Sequence, residues 1–134
     1  MTLLEKQMTF TDNIGKLISY SFSLGIGLTF GEVMRTKEQQ EIYVKTGRSK
    51  TMNSRHLQRL AVDFNMFMLK EKGRMLFAPN STQAQFKRDI QIAKQLGQYW
   101  ASLNVDNVWG SDWDRDGNTE EHAFQDPYHF EMRP

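Results

Sequence analysis

The spacing of apolar positions changes several times along the chain, and each change marks an element. From Met1 to Ser23, the residues Leu3, Leu4, Met8, Ile14, Leu17, Ile18 and Phe22 recur at helical intervals. They predict a helix packed on a sheet. Thr11 or Asp12 would start its second part as an N-cap, and Gly25 and Gly27 would end it. Leu28 to Arg35 (LTFGEVMR) reads as a strand. Thr36 then opens a helix with capping-box spacing to Gln39; it runs to about Lys45 and stops at Gly47. Residues 47–55 (GRSKTMNSR) are polar and small and read as a loop. From Leu60 to Met66 the period falls to two. Leu60, Val62, Phe64 and Met66 alternate with Ala61, Asp63 and Asn65, as in a strand with one buried face. Lys72-Gly73 predicts a turn, with Arg74 to Phe77 returning as a short strand. Ser81 or Thr82 caps the longest helix, Gln83 to about Leu103. Its apolar stripe is Phe86, Ile90, Ala93, Leu96, Gly97 and Trp100, which leaves Lys87, Arg88, Asp89, Gln91, Lys94 and Gln95 to solvent. Val105 to Phe124 shows no period and reads as irregular. Tyr128 to Met132 (YHFEM) is a short strand with Phe130 and Met132 toward the core and His129 and Glu131 on the other face.

Composition narrows the picture. A chain of 134 residues is expected to form one domain, residues 1–134. It buries roughly two thirds of its surface without needing disulfides. There is no cysteine, which excludes a cysteine zinc site, a thiol nucleophile and a disulfide scaffold together. It is also compatible with a reducing cytoplasm. A net charge of +1 provides no electrostatic footprint for nucleic acid. The most apolar stretch, Ile18 to Phe30, is too short at about 13 residues to span a bilayer. Glu5 and Lys6 interrupt the start before any signal-peptide run. Neither nucleic acid nor a membrane is expected as a partner.

The candidate chemistry centres on Ser54-Arg55-His56 and Asp63, seven residues beyond the histidine. Imidazole nitrogen and carboxylate oxygen are both ligands for a divalent metal such as zinc. Asp63 lies on the polar face of its strand beside the small Ala61, and His56 sits in the turn feeding that strand. His129 is the candidate third ligand. Asp126 precedes Pro127 and should be extended. Positions three apart on a straight strand point to opposite faces, so Asp126 and His129 share a site only if Pro127 bends the chain. Arg35 stands where a strand hands over to a helix. It reads either as a surface charge or as a guanidinium for a carboxylate or developing oxyanion. Asp112-x-Asp114-x-Asp116-Gly117 matches the first half of a calcium loop. Position twelve would be Ala123 where a bidentate Glu is expected, so this is not a regular EF-hand. Glu120 or Glu121 could substitute; the alternative is a polar Asp/Gly turn.

Taken in order, Arg35-Thr36-Lys37-Glu38-Gln39, Ser54-x-His56 with Asp63, and Asp126-x-x-His129-Phe130-Glu131 resemble the M15 family of zinc peptidases. That family includes D-Ala-D-Ala carboxypeptidases, dipeptidases of the vancomycin-resistance type, and L-alanyl-D-glutamate endopeptidases used as bacteriophage endolysins. The resemblance runs from about Phe30 to Glu131. It implies an α+β fold of the Hedgehog/DD-peptidase type, with helices packed on a small, mainly antiparallel sheet. It also implies that His56, Asp63 and His129 bind one zinc ion, that Asp126 is the general base for a zinc-activated water, and that Arg35 contacts substrate and steadies the oxyanion. Ser54 would support the site. The segment Trp109-Gly110-Ser111-Asp112-Trp113 and the Asp-rich run resemble the phage enzymes, with Trp109 binding substrate or supporting the site. One departure is Arg59, where the family often has Gly. The resemblance implies a peptidoglycan stem-peptide endopeptidase acting as a monomer on the bacterial cell wall, made in the cytoplasm and released through a holin-type pore. Alternatives are a D-Ala-D-Ala carboxypeptidase or dipeptidase, a zinc-bearing binding domain without catalysis, and a component of the phage particle.

Overall fold

The alternating run Leu60–Met66 forms the strand that the rest of the sheet is built on. In the computed structural model, which describes residues 1–52, 54–119 and 125–134, this strand is β2 (Ala61–Met68). The described chain runs α1 (Leu3–Ser23), β1 (Ile26–Phe30), α2 (Lys37–Lys45), β2, β3 (Arg74–Met75), α3 (Gln83–Leu103), β4 (Asn107–Trp109) and β5 (His129–Met132). All pairings are antiparallel, in the order β1-β2-β5-β4 with β3 also on β2. The fold is α+β, as expected.

The core lies between one face of this sheet and helices α1 and α3. Leu60, Val62, Phe64, Met66, Phe130 and Met132 meet Phe10, Ile14 and Leu17 of α1 and Ile90, Ala93, Leu96 and Trp100 of α3. The Trp100 indole N–H donates to the carbonyls of Val108 and Glu131, which ties α3 to both β4 and β5. Its ring stands edge-on to Phe10 and Phe130. Helix α2 buries only Gln40, so its placement answers to polar contacts instead.

Several expectations need correction. Helix α1 is continuous from Leu3, capped by a Thr2–Glu5 capping box, with no restart at Thr11 or Asp12. Its buried stripe is Phe10, Asn13, Ile14, Leu17 and Ser21, while Leu3, Leu4, Met8 and Phe22 are exposed. Gly25, at φ 81°, ends the helix, and Gly27 already lies in β1. The strand expected over Leu28–Arg35 begins earlier and stops at Phe30. Beyond it the pairing lasts one more step: Gly31 N–H donates to Asp63 O and Asp63 N–H to Glu32 O. The returning strand after Gly73 covers only Arg74–Met75. Asp89 is buried rather than solvated, because its carboxylate accepts from Arg74 Nη1 (3.3 Å) and Phe77 N–H (3.1 Å). The segment expected to be irregular holds β4, three residues too short to show a period.

Candidate active site

The sheet register assembles the site. On β2, Asp63 faces away from Val62 and Phe64, and its direct cross-strand neighbour on β5 is His129. Two residues along, on the same face, Ala61 pairs with Glu131. A slip of one residue in either strand would turn that strand's Asp63 or His129 into the core. His56 arrives from a 3₁₀ turn, Arg55–Gln58, whose N-cap Ser54 accepts from the His56 N–H. Arg59 closes this turn in the left-handed region at φ 56°, the conformation that favours glycine.

Asp63 holds both imidazoles. Its Oδ1 lies 3.0 Å from His129 Nδ1, and its Oδ2 lies 3.4 Å from His56 Nε2. One donor atom from each residue falls within 4.8 Å of the other two. Ligands about 2.0–2.1 Å from a tetrahedral zinc stand about 3.3 Å apart, so this spacing fits the ion. The far nitrogens are braced: His56 Nδ1 faces Val33 O at 3.4 Å, and His129 Nε2 faces Glu131 Oε1 at 2.8 Å. With protons on those nitrogens, both lone pairs point at the shared centre. The donor set therefore fits a divalent metal.

The electrostatics agree. Burial pushes the Asp63 carboxyl up, but hydrogen bonds to His129 and His56 and their charges together hold it well below the usual range. Burial pushes His129 down, yet hydrogen bonds to Asp63 and Glu131 and their charges raise it to about 9. A proton held this firmly between carboxylates occupies the place of a cation.

Asp126 reaches the same cleft because the chain bends at Pro127–Tyr128, with His129 N–H donating to Asp126 O at 3.0 Å. Its N–H donates in turn to Gly110 O. A Cβ on Gly110 would stand 2.1 Å from Asp126 O, so only glycine fits there. Burial raises the Asp126 carboxyl above its ordinary value. Asp63, Asp126 and Arg35 line one open cleft of about 470 Å³.

Arg35 is no loose surface charge. Its Nε donates to Glu32, and its Nη1 donates to Gln40 Oε1 (2.6 Å) and Ser54 Oγ (3.1 Å). Ser54 thus touches both the His56 backbone and Arg35. Trp109 is buried, packs where Gly97 leaves room for its ring, and donates its indole N–H to Pro127 O. Those are contacts of support. Trp113 lies 5.6 Å from the His129 ring. Asp112, Asp114 and Asp116 each bring a carboxylate oxygen within 4.8 Å of the others and could hold a cation. They also accept the backbone N–H groups of Gly117, Asp116 and Asn118 respectively, as an Asp/Gly turn does. Burial raises Asp112, and the charges of Asp116 and Asp114 add to this. Glu120, Glu121 and Ala123 lie outside the described residues.

Comparison with known proteins decides the family. The profile described as phage L-alanyl-D-glutamate peptidase matches residues 5–133. The chain belongs to this family. The L-alanyl-D-glutamate peptidase of Listeria phage A118 is 37% identical over 98 residues, 73% of this chain. The chain spans 30% of the length of that relative. The crystal structure of the L-Ala D-Glu endopeptidase ChiX of Serratia marcescens superposes with a TM-score of 0.60 at 21% identity, covering 92% of this chain and 79% of the other. That likeness establishes the peptidase fold expected from the sequence. The sequence did not single out Glu32, Gln40, Tyr43 and Arg48, which line this cleft or brace Arg35 beside it. Tyr43, the one aromatic of α2, was the available signal; nothing marked Gln40.

Proposed function

We propose that this chain hydrolyses the L-Ala–D-Glu amide of the peptidoglycan stem peptide, with a bound zinc ion. The observation that carries the reading is the convergence of His56, Asp63 and His129, with Asp63 lining one cleft together with Asp126 and Arg35. Zinc held by the three ligands would supply a Lewis acid that acidifies water and polarises the scissile carbonyl. Asp126 takes the proton of the attacking water and passes it to the leaving amine; its raised carboxyl suits both roles. Arg35, fixed by Glu32, Gln40 and Ser54, turns its remaining donors toward the developing oxyanion. Ser54 and Trp109 hold the frame. We read residues 1–134 as one catalytic domain working as a monomer. It would be made in the host cytoplasm and reach the wall through a holin-type pore. No helix of the described residues is long and apolar enough to cross a membrane.

The test is digestion of purified peptidoglycan by zinc-loaded and chelator-treated protein, with products read by mass spectrometry. Zinc-dependent appearance of amino-terminal D-Glu is the expected result. Released D-Ala would move the protein to the carboxypeptidases or dipeptidases. Intact wall despite tightly bound zinc would make it a binding domain.

A further inference from the structure

The cleft holds two arginines, and they are not equivalent. Arg35 is spoken for: Glu32 neutralises it, and Gln40 and Ser54 occupy Nη1. Arg48 is exposed, and its guanidinium lies 4.9 Å from the centroid of the Tyr43 ring. Among the described residues no carboxylate pairs with it. Yet it is not adrift. Its backbone N–H donates to Tyr43 O at 2.8 Å, and the next residue, Ser49, donates to the same carbonyl. The buried Gln40 amide, which accepts from Arg35, donates to Ser49 Oγ (2.8 Å) and to Thr51 O. One side chain thus fixes both the bound arginine and the loop carrying the free one. Tyr43 adds a second link, since its hydroxyl donates to Glu32 and its ring also lies under Arg35. A held, uncompensated cation on the wall of a cleft that also carries Asp63 and Asp126 is a seat for an anion.

We propose that Arg48 determines substrate specificity by pairing with the free carboxylate of the residue that supplies the leaving amine. This rests on the stem-peptide reading above. In an L-alanyl-D-glutamyl bond the acyl side presents only a methyl group, so a carboxylate next to the scissile amide belongs to the glutamyl residue. Asp126 and Glu32 would repel it, and Arg35 is already paired. Arg48 is the cleft's remaining unpaired side-chain cation among the described residues, and the Tyr43 ring lies against its guanidinium.

The experiment compares two soluble stem peptides, one with the glutamyl carboxylate free and one with it converted to the amide. Wild type should prefer the acid form. In Arg48→Gln the ratio of kcat/KM for acid over amide should fall about tenfold or more, through KM. Arg48→Lys should recover part of it. An unchanged ratio in Arg48→Gln, with both peptides cleaved, overturns the proposal. Should wild type cleave neither peptide, the activity reading fails, and calorimetric titration of the zinc-loaded protein with the same peptides still decides on Arg48. Preference for the acid form that is lost in Arg48→Gln upholds it; equal binding overturns it.

Discussion

Asp63 serves two imidazoles with one carboxylate, and the roles of its neighbours follow from what each leaves to the others. In the proposed reaction Asp126 carries no ligand duty. Asp126→Asn should keep its zinc, measured by metal content after dialysis, and lose about 10²–10⁴ in turnover. Because burial raises this carboxyl, the acid limb of kcat/KM should lie above the range of an ordinary Asp, with activity falling as pH drops through it. The limb should vanish in the Asn variant, and Glu131 is next to test if turnover survives. Glu131 braces His129 through Nε2. Glu131→Gln should weaken zinc binding by about 10–100-fold in a competition titration with a chromophoric chelator. Unaltered affinity would mean that the strand alone orients the ring.

At the scale of elements, the site depends on turns as well as on strands. Gly110→Ala drives a Cβ into Asp126 O. It should cost about 1–3 kcal/mol in denaturant unfolding and lower activity by moving Asp126 and His129. Arg59→Gly should do the reverse for stability, gaining about 0.5–1 kcal/mol by relieving the left-handed backbone at φ 56°. A thermal melt checks it. The same division explains what the sequence revealed. Period two over Leu60–Met66 and the YHFEM run placed Asp63 and His129 on one sheet face, and the Pro127 bend brought in Asp126. Strand β4 was too short for a period, and Asp89 looked solvated because its partners, Arg74 and the Phe77 N–H, come from another segment. The exposed Leu3, Leu4, Met8 and Phe22 kept helical spacing without gaining a partner, so spacing alone overstated the buried stripe. Gln40 could not be foreseen, since its buried contacts join three segments that only tertiary structure brings together.

For the whole molecule, a bound metal would compete with the proton. In the metal-free protein His129 is raised from 6.5 to about 9, so its contribution to stability is complete below about pH 6.5 and is lost as pH rises through about 9. The melting temperature of chelator-treated protein should therefore fall over that window. With zinc bound, the ligand is already deprotonated and the fall should disappear, while zinc uptake releases protons and tightens with pH. A flat profile without metal would mean that His129 is neutral there. The register that joins Asp63 to His129 also sets a clock. The two residues are 66 apart in the chain. At about 5–20 residues per second a ribosome needs roughly 3–13 s between them. Until β5 has emerged and docked, a nascent chain carries His56 and Asp63 without the cross-strand histidine that completes the cluster.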